Sequence, residues 1–233
     1  MKMFALALTG ALAASASGSA MAAPAKGRVA TDWSKIVAAT PEGGIVMGNP
    51  KAKLTLVEYG SLTCSHCKHF AETGIKPLVG NYVKSGKVRY EFRSYLLNGY
   101  DVAATLLARC NGASGFFPMA DTMFATQGQW LGAAANIPKD KLAALENAPV
   151  EQLVSTLATL TGLQKIAATR GLSLKRANQC LADRAAAERL IAFAEAGRAK
   201  GVTGTPTFFL NGTKLAGGTW DTVEPALKAA LSR

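Results

Sequence analysis

The first hundred residues contain two apolar runs with the spacing of β-strands and a helical segment between them. Residues 54–59 are mostly apolar, which predicts a central strand covered on both faces. Residues 68–83 have helical spacing, with a kink expected at Gly74 and Pro77 because proline removes a helical hydrogen bond. Residues 88–95 alternate between apolar and polar. A strand, a helix and a strand in this order predict a βαβ unit with parallel strands.

The pattern changes after residue 98, where about a hundred residues show no strand signal. We expect Asp101 to cap the first helix of this region and Ser173 to cap the last. A block of helices between two groups of strands predicts an inserted helical subdomain. Residues 128–136 are expected to form a loop anchored by Trp130. The predicted helices are 101–110, 116–127, 140–146, 149–161 and 173–200, the last with a bend at Asp183.

Strand signals return near the end of the chain. Asn211-Gly212 lies between two short strand-like segments and is a strong signal for a two-residue hairpin turn. Residues 221–231 have the spacing of a closing helix. Pro206 enters the first of the two segments, although proline cannot donate to a strand ladder. A cis Thr205–Pro206 bond would resolve this conflict and expose the Thr205 backbone to an incoming peptide.

The amino terminus has the pattern of a secretory signal peptide. A basic start at Lys2 precedes an apolar stretch, residues 4–14, and small residues follow up to Ala22. We therefore expect cleavage after Ala22. The alternative is a membrane anchor, but the apolar stretch is shorter than the ~20 residues that a membrane span needs. Export would place the protein in an oxidising compartment, where disulfides form and persist.

Length and charge narrow the classes of protein that fit. The 233 residues carry a net charge of +11, and because Lys2 is the one charged residue before the cleavage site, about +10 remains after cleavage. No basic patch interleaved with aromatic residues indicates nucleic-acid binding, so we interpret the charge as a solvated surface, with weak attraction to acidic partners as the alternative.

The predicted segments are the signal peptide 1–22, a lead-in 23–50 with one strand-like run at 44–48, two halves of one domain at 51–98 and 201–233, and the helical insert 99–200.

The main chemical motif is Cys64-Ser65-His66-Cys67, where a predicted strand leads into a predicted helix. A Cys-x-x-Cys pair in this position is typical of thioredoxin-type redox sites. The free N–H groups and positive dipole of a helix start stabilise a thiolate at Cys64, and the imidazole of His66 can do the same. Stabilising the reduced form makes the disulfide a stronger oxidant. The motif therefore predicts oxidising thiol–disulfide exchange.

Other interpretations of the two cysteines fit less well. Zinc needs about four ligands, and the candidates Cys64, His66, Cys67 and His69 crowd six residues, with no other histidine in the chain. Covalent haem needs histidine where Lys68 stands. A purely structural disulfide in so short a loop is the remaining alternative. No metal or organic cofactor is expected.

Glu58 and the second cysteine pair complete the candidate residues. Glu58 interrupts the apolar strand six residues before Cys64, which makes it a candidate proton acceptor; the alternative is a surface glutamate near the strand end. Cys110 and Cys180 fall on different predicted helices of the insert. In an exported protein they favour a structural disulfide over two free thiols.

Taken together, Cys-Ser-His-Cys, the helical insert and the later motif Gly-Thr205-Pro206-Thr-Phe-Phe resemble the DsbA-like branch of the thioredoxin superfamily over nearly all of the chain after residue 22. The resemblance implies an α/β thioredoxin fold with an inserted all-helical subdomain and a cis bond before Pro206. It implies that Cys64 is the nucleophile, Cys67 its buried partner and Glu58 part of a proton relay. Ser65 stands where family oxidases often have proline, and Thr205 where the best-known ones have valine.

The sequence thus favours a periplasmic, monomeric oxidase that introduces disulfides into folding proteins with free cysteines. Thr205 and Pro206 would hold the substrate chain, and the resemblance implies reoxidation by a quinone-linked membrane partner of the DsbB type. An isomerase or reductase using the same cysteines is the nearest alternative. A chaperone-like module that binds unfolded chains is an alternative of another class.

Overall fold

A computed structural model describes residues 31–233, so the predicted signal peptide lies outside the described residues. A short 3₁₀ helix, Trp33–Lys35, precedes the first strand. The strands are β1 (Val37–Ala39), β2 (Ile45–Met47), β3 (Leu54–Gly60), β4 (Val88–Ser94), β5 (Thr207–Leu210) and β6 (Thr213–Lys214). The helices are α1 (Ser65–Thr73), α2 (Ile75–Pro77), a π-helical turn (Leu78–Val83), α3 (Gly99–Arg109), α4 (Gly112–Ala125), α5 (Gln127–Ala135), α6 (Lys139–Ala143), α7 (Val150–Thr161), α8 (Leu163–Ala168), α9 (Leu174–Leu181), α10 (Arg184–Ala199) and α11 (Trp220–Leu231).

The strands of the described chain form one mixed sheet in the order β1-β2-β4-β3-β5-β6. β3 and β4 are parallel, as the βαβ pattern predicts, and the other neighbours are antiparallel. Asn211 and Gly212 both have positive φ, at 47° and 84°, in the predicted turn between β5 and β6. The helices α3 to α10 all lie between β4 and β5. The chain therefore has a thioredoxin fold with a helical insertion.

The sheet has an apolar cover on both faces. One face carries Leu56, Tyr90 and Phe208 and belongs to the main hydrophobic core, which continues into the helical insert. The other face carries a smaller cluster around Tyr59 and Tyr95. Gly197 of α10 permits close packing there, because a Cβ at this position would lie 2.8 Å from the Tyr59 ring. β3 is thus a central, buried strand, and the loop that follows it is anchored at a rigid element.

The helical insert differs from its prediction in several places, one of which is α8, where no helix was predicted. Residues 128–136 are not a loop, because α5 covers most of them. The single helix predicted over 173–200 is two helices: Ser173 caps α9, and the Asp183 side chain accepts from Ala186 N at the start of α10. Asp101 does not cap α3, since Asn98 does so by accepting from the Asp101 N–H. Asp101 is instead a buried residue of the first turn.

Two further observations describe the insert. A disulfide joins Cys110, at the end of α3, to Cys180 in α9, with the Cα atoms 5.8 Å apart. No helix within residues 31–233 is both long enough and apolar enough to cross a bilayer.

Candidate active site

The two remaining cysteines lie at the start of α1, directly after the loop that leaves β3. Cys64 is the N-cap residue of α1 with extended backbone angles, and Cys67 lies one turn inside the helix. Both are free thiols; Cys64 is partly exposed and Cys67 is fully buried. The carbonyl of Cys64 already takes part in the helix, because Lys68 N donates to Cys64 O over 3.1 Å.

The surroundings of Cys64 favour its ionised form. The pKa of its thiol is lowered to about 5, mainly by a hydrogen bond from Cys67. Partial burial opposes this shift, and further hydrogen bonds from the Thr205 side chain and from the backbone N–H groups of Cys67 and His66 add to it. These N–H groups are among the unpaired donors of a helix start. At neutral pH the sulfur of Cys64 is therefore a thiolate.

Cys67 has the opposite electrostatic environment. Burial is the main cause that raises the pKa of its thiol above the ordinary value, and its hydrogen bond to Cys64 and the charge of Glu58 add to the effect. Ser61 N donates to Cys67 Sγ over 3.4 Å. In the reduced protein one sulfur is thus charged and reactive while the other keeps its proton.

Thr205 and Pro206 lie beside Cys64 because β3 and β5 are neighbours in the sheet. Tyr59, near the end of β3, pairs with Thr207, at the beginning of β5. The Thr205–Pro206 bond is cis, and Cys64 Sγ lies 3.3 Å from Thr205 O. The fold therefore brings together the two motifs that the sequence keeps far apart.

Glu58 is buried in β3 on the face that carries the main core. Tyr90, from β4, donates its hydroxyl to Glu58 Oε2 over 2.6 Å. Burial raises the pKa of the Glu58 carboxyl to about 8, and the negative charge at Cys64 adds to this rise against the lowering effect of Tyr90. Glu58 and Tyr90 also line a cavity of about 750 Å³ between α1 and α4. Glu58 is therefore a core carboxyl that can change its protonation near neutral pH, not a surface glutamate.

Ser65 and His66 are both exposed on the first turn of α1. His66 acts on the Cys64 sulfur through its backbone N–H group. The sequence predicted stabilisation both by such N–H groups and by the imidazole ring, and the part assigned to the ring stays a prediction. Among residues 31–233, no group of three or more His, Cys, Asp or Glu side chains is arranged to hold a metal ion.

Two residues that contact the loop before Cys64 were missed in the sequence. Asp101 of α3 accepts from Ser61 Oγ and from Leu62 N, and Gln127 of α5 donates to Leu62 O and Cys64 O. Both side chains are buried. Their local sequence gave no signal of this burial, because Asp101 has the residue type of a helix cap and Gln127 lies in a polar stretch between Thr126 and Gln129.

Comparison with known proteins agrees with this geometry. A family model described as Thioredoxin matches residues 40–229. A Rickettsia conorii protein, whose name presents it as a candidate protein-disulfide oxidoreductase, is 28% identical over 199 residues, which cover 84% of this chain. The chain spans 64% of the length of that relative.

Two solved structures are also similar. A crystal structure of a protein-disulfide isomerase from Novosphingobium aromaticivorans is 32% identical, with a TM-score of 0.76 over 81% of this chain and 97% of that one. The crystal structure of α-DsbA1 from Wolbachia pipientis is 25% identical, with a TM-score of 0.64 over 80% of this chain and 90% of that one.

Proposed function

Since the chain belongs to the thioredoxin family, in its DsbA-like branch, we propose that it is an exported thiol:disulfide oxidase that introduces disulfides into folding proteins. The observation that carries the proposal is the lowered pKa of Cys64, about 5, next to a partner sulfur that keeps its proton. A stabilised thiolate favours the reduced protein, so the disulfide form gives up its oxidising equivalents readily.

The proposed reaction starts from a Cys64–Cys67 disulfide. A substrate thiolate attacks Cys64 Sγ, a mixed disulfide forms, and the Cys64–Cys67 bond breaks with the electron pair on Cys67, which then takes up a proton. A second substrate thiolate attacks the substrate sulfur of the mixed disulfide and releases Cys64 as a thiolate. The substrate has then lost two electrons to the protein. The low pKa of Cys64 makes its sulfur a good leaving group in the second step.

Glu58 is the proposed proton carrier for Cys67. The buried thiol must gain a proton on reduction and lose it on reoxidation, and burial makes its charged form costly. A carboxyl whose pKa is about 8 exchanges protons near neutral pH, which suits this role. Tyr90 orients the carboxyl through its hydroxyl.

Thr205 and Pro206 are the proposed substrate-binding residues. An extended substrate segment would pair with the Thr205 backbone, as peptides do when they add to exposed strand-like edges. The position of Thr205 O, 3.3 Å from Cys64 Sγ, supports this because a bound cysteine would lie beside the nucleophile. Ser65 and His66 are exposed on α1 directly after Cys64.

The remaining parts of the proposal concern the protein's surroundings. Residues 1–22 favour export to the periplasm, and cell fractionation with analysis of the new amino terminus tests this. The dithiol product must pass two electrons to an oxidant, for which we propose a quinone-linked membrane protein of the DsbB type. We also propose that the protein acts as a monomer, which light scattering measures directly.

Disulfide isomerisation or reduction is the second candidate, and it is favoured by the similarity to the Novosphingobium protein, which is named a protein-disulfide isomerase. An isomerase must stay reduced in its compartment, whereas an oxidase must stay oxidised. The redox potential therefore separates them: thioredoxin and DsbA differ by about 150 mV, or ~7 kcal/mol for two electrons. A potential near that of thioredoxin would contradict the oxidase proposal.

Trapping the mixed disulfide tests the central chemical step. Cys67→Ser lacks the Cys64–Cys67 disulfide, so the trap runs the second step in reverse: the Cys64 thiolate attacks a disulfide of an oxidised substrate protein and displaces one substrate sulfur as a thiolate. The mixed disulfide should accumulate, because Cys67 is no longer there to displace the bound substrate sulfur, and reducing agent should release it. Cys64→Ser should form none. A Cys64→Ser protein that still performs the full cellular role would favour the chaperone-like alternative. The double replacement of Cys110 and Cys180 by alanine, which leaves Cys64 and Cys67 in place, is the matched control.

A further inference from the structure

The loop of residues 61–63 joins β3 to the nucleophile at the start of α1. Its centre, Leu62, is buried, and its backbone groups lie outside the strand ladder. Buried backbone groups need hydrogen-bond partners. Both partners of Leu62 are side chains of the helical insert: Asp101 Oδ1 accepts from its N–H over 2.9 Å, and Gln127 Nε2 donates to its carbonyl over 2.9 Å.

Asp101 contacts the loop on the side of the buried sulfur. Its second carboxylate oxygen accepts from Ser61 Oγ and, over 3.1 Å, from Leu97 N. Ser61 N in turn donates to Cys67 Sγ. The fully buried carboxylate of Asp101 therefore connects α3 to two other parts of the chain. One is Leu97, which follows β4, and the other is Ser61, whose N–H contacts Cys67.

Gln127 contacts the loop on the side of the nucleophile. It is the first residue of α5 and is 4% exposed. Its amide nitrogen donates one hydrogen to Leu62 O and the other, over 3.0 Å, to Cys64 O. Cys64 O also accepts from Lys68 N, so Gln127 acts on the peptide unit that starts helix α1. An amide at this position supplies two donors, which neither a carboxylate nor an apolar side chain can provide.

From these contacts we propose that Asp101 and Gln127 are positioning residues: the helical insert holds the loop 61–64 through them and thereby sets the geometry of the Cys64 sulfur. The inference rests on the proposed redox function of Cys64. Its physical basis is that hydrogen bonds weaken steeply with misalignment, so a small displacement of Cys64 weakens its bonds to Thr205 and to the N–H groups of α1. Groups that do not touch the reacting atoms can change reactivity in this way, because they fix where those atoms lie.

The test replaces the amide of Gln127 by a side chain of similar size without donors. Gln127→Met should raise the pKa of Cys64, measured by thiolate absorbance, by about one unit, because each hydrogen bond to a charged group contributes on that scale. The disulfide should become correspondingly less oxidising. Gln129→Met is the matched control, since Gln129 is exposed two residues further along the same helix.

Asp101→Glu provides a second variant, which keeps the negative charge that is coupled to Cys64 but lengthens the side chain by one methylene, so that its oxygens no longer match the positions of Leu62 N, Ser61 Oγ and Leu97 N. It should shift the pKa of Cys64 in the same direction. Urea unfolding of each variant in its oxidised form shows whether the measured protein is folded. Folded variants that retain the wild-type pKa and potential, including variants that lose only stability, would overturn the inference. An ordinary thiol pKa in the unaltered protein would instead contradict the proposed function itself.

Discussion

Cys64 Sγ lies 3.3 Å from the carbonyl oxygen of Thr205, although 141 positions separate the two residues in the chain. The contact exists because β3 and β5 are antiparallel neighbours and the two residues flank adjoining strand ends. It places the proposed nucleophile beside the proposed substrate-binding backbone. The side chain of Thr205 also helps to lower the pKa of Cys64.

The first prediction concerns this side chain. Thr205→Val removes the hydroxyl while keeping the shape, so the pKa of Cys64 should rise by about one unit, as expected for one hydrogen bond to a charged group. A thiolate titration followed by ultraviolet absorbance measures the shift. Thr203→Val, an exposed replacement in the same segment, should leave the titration unchanged. If Cys64 titrated alike in the two variants, the side chain of Thr205 would not contribute to the lowered pKa of Cys64.

The pH dependence of the redox potential is a second prediction. Above pH 5, reduction takes up two electrons and one proton, because Cys64 stays ionised and Cys67 is protonated. Between pH 5.5 and 7 the potential should therefore fall by about 30 mV per pH unit. Below pH 5 both sulfurs take up a proton, and the slope should steepen towards about 59 mV per pH unit.

The sign follows from the lowered pKa of Cys64. Its ionisation stabilises the reduced, folded protein at neutral pH, and this stabilisation is lost as the pH falls through about 5. Equilibration with glutathione at a series of pH values measures the slope. A steep slope that continues up to pH 7 would mean that Cys64 is an ordinary thiol there.

Glu58 is the subject of the third prediction. Glu58→Gln keeps an acceptor for the Tyr90 hydroxyl but cannot carry a proton, so the steps that protonate or deprotonate Cys67 should slow by about a hundredfold at pH 7. Stopped-flow measurement of reduction by a model peptide thiol gives the rate. The variant should remain folded, so that the loss appears in the rate of thiol–disulfide exchange and not in stability.

β4 supplies the matched control for Glu58. Glu91 is also a buried strand glutamate, but it lies on the opposite face of the sheet, where it pairs with Arg93 over 2.8 Å and accepts from Thr40. Glu91→Gln should lower the free energy of unfolding by weakening a buried ion pair, while leaving the exchange rate unchanged. Similar rate losses in both variants would point to a general effect of altering the sheet.

The fourth prediction concerns the disulfide between Cys110 and Cys180. Replacing both cysteines by alanine should lower the free energy of unfolding by about 2–4 kcal/mol, since the bond closes a loop across 70 positions. Urea denaturation of the oxidised protein measures the change. A variant as stable as the original would show that packing of α3 against α9 alone holds the insert together.

Local patterns in the sequence predicted much of the fold. The buried strand that became β3, the parallel βαβ unit and the turn at Asn211-Gly212 follow from hydrophobic spacing and from the backbone freedom of turn residues. The candidate pair Cys64 and Cys67 follows from its place between a strand and a helix. Each of these signals involves residues close together in the chain, and for that reason it can be recognised without the structure.

Only the tertiary structure decided which distant groups meet around the sulfurs. Asp101 has the residue type of a helix cap, yet α3 places it against the loop of residues 61–63. Gln127 was expected to end a helix and to be followed by a loop, yet it begins α5 and contacts the same loop of residues 61–63. Glu58 was a candidate proton acceptor from its place in the strand, but the rise of its pKa comes from burial, which neither its residue type nor that of Tyr90 reveals. Hydrogen bonds and desolvation depend on partners far away in sequence, and those partners are determined by how the helices pack on the sheet.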